Sequence, residues 1–151
     1  DIEAALQETL QKFQHQTGLP TRLQLEGQGL PLPPDVQVQV LHVLQEALSN
    51  VRKHAGASHV SLDVHKAARW RFAVRDNGAG FDTRQQRSEN HVGMKIMRER
   101  AERIGASVEL VSSPGQGTTV TLTLPPYPVS GRGIGTLGLN LQELSETLPA
   151  P

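Results

Sequence analysis

The sequence predicts an α+β fold, a two-layer sandwich in which a mixed, largely antiparallel sheet carries helices on one face. Three observations predict it. Residues 58–65 with 70–76, and 107–112 with 118–124, form two pairs of short alternating segments joined by tight connections, which read as hairpins. Residues 2–15, 35–55 and 93–104 carry apolar residues at helical spacing. The order of elements runs helix, strand, long helix, hairpin, loop, helix, hairpin.

Length and composition set the frame. The 151 residues suit one domain with a real core. Fifteen Lys and Arg balance fifteen Asp and Glu, a charge balance that argues against nucleic acid or an anionic membrane as the main partner. The chain has no Cys, which excludes a disulfide framework, thiol chemistry and a Cys-based metal site. No apolar run approaches the roughly 20 residues of a membrane span, and no signal peptide is visible. The chain opens on Asp1, which reads as a fragment of a longer or processed protein, with the cytoplasm as the default compartment.

Each element has its own warrant. Ile2, Ala5, Leu6, Leu10 and Phe13 fall on one helical face, and Gly18 and Pro20 stop that helix. Leu23 and Leu25 alternate in a short strand over 21–26, followed by a turn-rich connector, 27–34. The helix over 35–55 starts on Pro34 and Asp35 and ends at Gly56. Val36, Val40, Val43, Leu44, Ala47, Val51 and Ala55 form its apolar stripe, with Glu46, Asn50, Lys53 and His54 in a polar stripe beside it. A carboxylate, an amide, an ammonium and an imidazole at a core rim look like a site. Residues 81–92 are polar and irregular and read as a mobile loop. Gly93 opens the next helix, where bare backbone N–H groups could receive an anion. Met94, Met97, Ala101 and Ile104 point inward, and Gly105 ends the helix. Three prolines, 125, 126 and 128, close the domain.

One stretch stands out chemically. Trp70, Phe72, Val74 and Asp76 alternate, so a carboxylate falls in phase with three core residues. Asn-Gly-Ala-Gly follows, a backbone that allows close approach. A polar group delivered inward without a partner costs roughly 2–7 kcal/mol, and a ligand is read as the missing partner. Thr118 lies in phase with Val120, Leu122 and Leu124 in the same way.

Four segments resemble the boxes of the ATP-binding catalytic domain of sensor histidine kinases, in the wider superfamily that includes gyrase, the ninety-kilodalton heat-shock chaperone and MutL. Leu44–Ala55 (LQEALSNVRKHA) looks like the N box. Asp76–Gly80 (DNGAG) matches the D-x-G-x-G box, Gly93–Gly105 (GMKIMRERAERIG) looks like the second glycine box, and Pro114–Pro125 looks like the last. The likeness runs from about Thr17 to Leu124. MRERAERIGASVELVSSPGQGT is similar to the nitrate/nitrite sensors and related kinases that signal to helix-turn-helix response regulators. Met94, Lys95 and Ile96 follow Gly93 where that group often has another glycine, so a double-glycine loop is not implied.

The resemblance implies the histidine-kinase ATPase (Bergerat) fold, with ATP and Mg²⁺ as cofactors. It implies that Asp76 accepts a hydrogen bond from the adenine amine with support from Thr118, that Asn50 ligates Mg²⁺, and that Glu46 orders a metal-bound water. Glu46 and Asn50 are then the catalytic residues. Lys53 and His54 reach toward phosphate, Gly78, Gly80 and Gly93 serve close approach or hinging, and Met94 belongs to the nucleotide site. The implied domain covers 1–127, with 1–16 as a linker helix from a dimerisation segment absent from this chain, and 128–151 as a flexible tail. The implied activity is transfer of the γ-phosphoryl of ATP to a histidine on that dimerisation segment, for relay to a response regulator. The fragment alone is not expected to autophosphorylate. The parent is expected to be a homodimer anchored in the cell membrane, with this domain in the cytoplasm. An anti-sigma-type serine kinase or an ATP-regulated binding module on the same fold is the alternative. The tail motif GRGIGTLG (131–138) resembles a nucleotide-binding glycine loop, but no strand precedes it.

Overall fold

The structure is a computed structural model that describes residues 1–84 and 88–126, and for residues 54, 55 and 88–91 the backbone alone. The tail over 128–151, with its glycine motif, lies outside the described residues. The elements are α1 (Ile2–Thr17), β1 (Thr21–Gly27), α2 (Pro34–Asn50) continued by a π-helical turn (Val51–Ala55), β2 (Val60–Lys66), β3 (Arg71–Asp76), α3 (Ser88–Glu102), β4 (Ser107–Ser112) and β5 (Thr118–Thr123). One five-stranded sheet has the order β1-β2-β3-β5-β4. β1 runs parallel to β2 and every other pair is antiparallel. The architecture is therefore the mixed α+β sandwich that the patterning predicts. No described helix is long and apolar enough to cross a membrane.

The core lies between the helices and one face of the sheet. Val60, Leu62 and Val64 of β2, Phe72 and Val74 of β3, and Val120 and Leu122 of β5 meet Val40, Val43, Leu44 and Ala47 of α2, all buried. Burial of each such aliphatic or aromatic side chain is worth about 1.5–3 kcal/mol, so the alternating strands and the α2 stripe together fix which sheet face is covered. Trp70 stacks on Phe72 with ring centroids 5.8 Å apart at the far end of β3 from Asp76. Helix α1 packs into this core through Ile2, Leu6, Leu10 and Phe13. Asp1 caps its first turn, Gly18 ends it at φ 76°, and a Lys66–Glu3 ion pair of 2.6 Å ties its start to β2.

Two element boundaries differ from the sequence expectation. The long helix keeps α geometry only to Asn50. The Val51 N–H is shared between the carbonyls of Ala47 and Leu48, and the chain then widens into a π-helical turn that Gly56 closes at φ 60°. The second difference is the start of α3. Residues 88–92 are helical, so the expected loop over 81–92 is shorter than its polarity suggests. The polar sequence of this turn carries no apolar stripe to mark it, and Ser-Glu-Asn at 88–90 suits a helix start by residue preference. The helix ends as expected. Gly105 adopts φ 69°, and the Ala106 N–H returns to the Ala101 carbonyl at 2.9 Å.

Candidate functional site

Terminal residues of three strands, the last of β3 and β4 and the first of β5, form a row across the sheet. Asp76 of β3 stands opposite Thr118 of β5, and Thr118 stands opposite Ser112 of β4. Asp76 lies beyond Val74 on the core side of its strand. Its Oδ1 accepts the Gly78 N–H at 2.8 Å, an Asx turn that starts the glycine segment. Its second carboxylate oxygen has no hydrogen-bond partner among the described residues.

A cavity opens beside this row. It is narrow, with a volume of about 40 Å³. Val51, Val74, Leu110 and Val120 supply apolar wall, Asp76, Thr118, Asn50 and Gly80 supply polar or bare backbone wall, and Met94 and Phe81 complete it. A mostly apolar cleft with a few convergent polar groups is the usual form of a small-molecule site. Asp76, Thr118, Asn50, Gly80 and Met94, five of the residues singled out by sequence, share this one lining.

The backbone around Asp76 is held by Gly80 and by Gly117, Ser112 and Asn77, which the sequence analysis does not single out as site residues. Gly117 has φ 72°, and a Cβ there would lie 2.2 Å from the Asp76 carbonyl oxygen. Gly80 has φ 66°, and a Cβ there would lie 2.2 Å from the Ser113 carbonyl oxygen. Both positions require glycine on both counts. Ser112 Oγ accepts the Phe81 N–H at 2.9 Å and sits 2.8 Å from Thr118 Oγ1. Asn77 clamps the far side. Its Oδ1 accepts the Ser58 and His59 N–H groups at 2.9 and 3.1 Å, and its Nδ2 donates to Ser58 Oγ at 2.7 Å. The exit of the π-helical turn is thereby tied to the residue next to Asp76. Only the pairing register of the strands brings Ser112 into line, and a single sequence contains that register only implicitly.

Helix α2 meets α3 at a second cluster. A Cβ on Gly93 would lie 3.0 Å from Asn50 Nδ2 and 3.1 Å from Glu46 Oε2. Glu46 and Asn50 thus converge on the bare backbone of α3. This corrects the expectation for Gly93. It does not open its helix but lies within α3, whose backbone N–H groups are engaged in the helical ladder, so it offers no exposed anion site. The polar stripe of α2 also splits. Lys53 sits on the π-helical turn, exposed and away from the cavity lining, because that turn leaves the 100° spacing that aligned it with Asn50. The His54 side chain lies outside the described residues.

Just past the glycine segment, Arg84 forks onto Asp82, with Nε 3.0 Å from Oδ1 and Nη2 2.8 Å from Oδ2. That side-chain hydrogen bond holds the Asp82 carboxyl below its ordinary pKa and raises that of Arg84. Among the described residues no group of three or more His, Cys, Asp or Glu could hold a metal ion. A cation beside Asn50 would need most of its oxygens from elsewhere, as Mg²⁺ at a phosphate does.

Residues 35–128 match the family described as histidine kinase-, DNA gyrase B-, and HSP90-like ATPase. The chain belongs to this family. It is 36% identical over 125 residues to the nitrate/nitrite sensor protein NarQ of Escherichia coli, covering 82% of this chain and 22% of that protein. It is 31% identical over 121 residues to the signal transduction histidine-protein kinase/phosphatase DegS of Brevibacillus brevis, covering 80% of this chain and 31% of that one. This chain therefore spans less than a third of either relative. Its fold is similar to that of the blue-light activated histidine kinase of Erythrobacter litoralis, with a TM-score of 0.68 at 19% identity over 84% of this chain and 42% of the other.

Proposed function

We propose that this chain is the ATP-binding catalytic domain of a two-component sensor histidine kinase. Its product is a phosphohistidine on a dimerisation helix of the parent protein, for relay to a response regulator. The observation that carries the reading is Asp76. One of its oxygens is committed to the Gly78 N–H, and the other has no partner among the described residues and lies beside a mostly apolar cleft with Thr118 next to it. A planar base with an exocyclic amine would satisfy that oxygen and bury its ring against Val51, Val74, Leu110 and Val120.

The residues fit both implied groups. Asp76 and Thr118 would hold the adenine. The Asn50 amide oxygen would take Mg²⁺ together with phosphate and water oxygens, with Glu46 positioned to hold a metal-bound water. When bound, Mg²⁺ supplies neutralisation of phosphate charge. Lys53 and His54 would extend the cationic side toward the phosphates, Gly78 and Gly80 would allow the ring close approach, and Gly93 and Met94 would cover it from α3. The protein's contribution is then positioning and electrostatic stabilisation, which dominate phosphoryl transfer. Similarity to a nitrate/nitrite sensor supports a sensory parent protein, whose input is read by segments outside this chain; a dimeric, membrane-anchored parent is part of this proposal.

Titration calorimetry with ATP, with and without Mg²⁺, tests the first half of the reading. Saturable binding that Mg²⁺ strengthens is expected, and absence of ATP binding would overturn it. Phosphotransfer from ATP to a separately supplied helix segment bearing the acceptor histidine tests the second half. Phosphorylation of a serine-bearing protein in place of the histidine helix would contradict it.

A further inference from the structure

The hydroxyl of Ser112 makes three contacts. The Phe81 N–H donates to it at 2.9 Å, it donates to the Gly117 carbonyl at 3.1 Å, and it lies 2.8 Å from Thr118 Oγ1. A serine hydroxyl has one proton. A carbonyl can only accept, so all three contacts are hydrogen bonds together only when that proton goes to Gly117. The contact with Thr118 is then a hydrogen bond only if Thr118 is the donor. In this arrangement the hydroxyl of Ser112 is fully used, with one bond donated and two accepted. Thr118 has spent its own proton and can offer the cavity lone pairs alone. Asp76, its partner across the β3–β5 ladder, offers a carboxylate oxygen at the next position. This end of the cavity therefore presents acceptors at two adjacent strand ends.

We propose that Ser112 is a specificity-determining positioning residue. By holding the Thr118 hydroxyl as an acceptor, it matches the cavity to a purine edge that carries an amino group and against one that carries a carbonyl oxygen at the same position. The inference rests on the nucleotide-binding reading and extends it to the choice of base. It also gives the Gly117 turn a second use, since its carbonyl takes the proton that sets the direction of the whole row.

Competitive titration of ATP against inosine triphosphate, which replaces the 6-amino group by a 6-oxo group, reads this out. The wild-type chain is expected to prefer ATP. In Ser112→Ala, Thr118 regains a free proton to donate into the cavity, and the ATP-to-inosine-triphosphate affinity ratio is expected to fall about fivefold, the worth of roughly one hydrogen bond. Ser112→Thr retains the hydroxyl and should retain the wild-type ratio. In a Thr118→Val background, Ser112→Ala should leave the ratio unmoved, because no hydroxyl remains to be turned. A merely structural role would weaken both nucleotides alike. An unchanged ratio in Ser112→Ala, or the same drop with Val at 118, overturns the proposal. A wild-type chain that binds neither nucleotide overturns the reading beneath it instead. Circular dichroism checks folding, and Ser112→Cys, with its weaker sulfur donor, supplies the same ratio if the alanine variant does not fold.

Discussion

The two ends of the cavity are built differently. At the sheet end, Asp76, Thr118 and Ser112 sit on paired strands, and their register is locked by ladders on both sides of β5. Two glycines there are so tightly packed that no side chain fits. At the helix end, Glu46 and Asn50 face a single glycine of α3, and the chain leaves α geometry immediately after Asn50. A strand end can aim one oxygen with little freedom. A helix end that widens into a π turn holds Lys53 on an exposed, adjustable side chain. The division suits a ligand with one rigid, selective part and one highly charged part.

The largest effect is expected at the rigid end. Asp76→Asn keeps the shape and leaves a carbonyl oxygen for the Gly78 N–H, so the Asx turn and the fold should persist. The second oxygen becomes an NH₂ that faces the amine of the base, donor against donor. ATP affinity should fall about 100-fold or more, the loss of a charge-assisted hydrogen bond plus an unpaired donor. Calorimetry at an unchanged melting temperature checks it, and full ATP affinity would remove Asp76 from base recognition.

At the helix end Asn50→Ala comes next. It should lower ATP affinity about tenfold with Mg²⁺ present and little without it. Equal loss under both conditions would mean that the amide contacts nucleotide directly or serves packing. Gly93→Ala separates stability from binding. Alanine gains about 1 kcal/mol over glycine inside a helix, and the groups its Cβ meets are the ends of two flexible side chains, Asn50 and Glu46, which can give way. The melting temperature should hold or rise while Mg²⁺-dependent affinity drops several-fold. A fall in both would place Gly93 in packing alone.

The same contrast explains what the sequence discloses. Asp76 and Thr118 were legible because a period of two projects every second residue to one face, and their neighbours in phase are core residues. Ser112 obeys the same alternation with Val108 and Leu110, yet its meaning depends on which strand β4 joins. Asn50 was legible from the stripe of α2 and from resemblance. Lys53 was not, because the stripe assumes 3.6 residues per turn and the π turn carries no sequence mark in this chain. The early start of α3 was hidden by a polar first turn, where propensity without an apolar stripe is a weak signal.

Lys53 offers the smallest effect and the finest distinction between the two ends. It is exposed, lies outside the lining of the cavity beside Asp76, and makes no hydrogen bond or ion pair among the described residues. Any contribution to phosphate binding is then made through solvent as a point charge. Such a charge is screened over about 8 Å at physiological ionic strength and about 3 Å in 1 M salt. Lys53→Ala should weaken ATP binding about threefold at low salt, by an amount within the range of one exposed charge pair, and have no effect in 1 M salt. Lys53→Arg should bind as the wild type does, since position and charge matter here and fork geometry does not. Asp76→Asn, in contrast, should lose the same factor at every ionic strength. A salt-independent loss at Lys53 would mean that the π turn closes on the nucleotide and brings Lys53 into direct contact, making the helix end as ordered in the complex as the sheet end is without it.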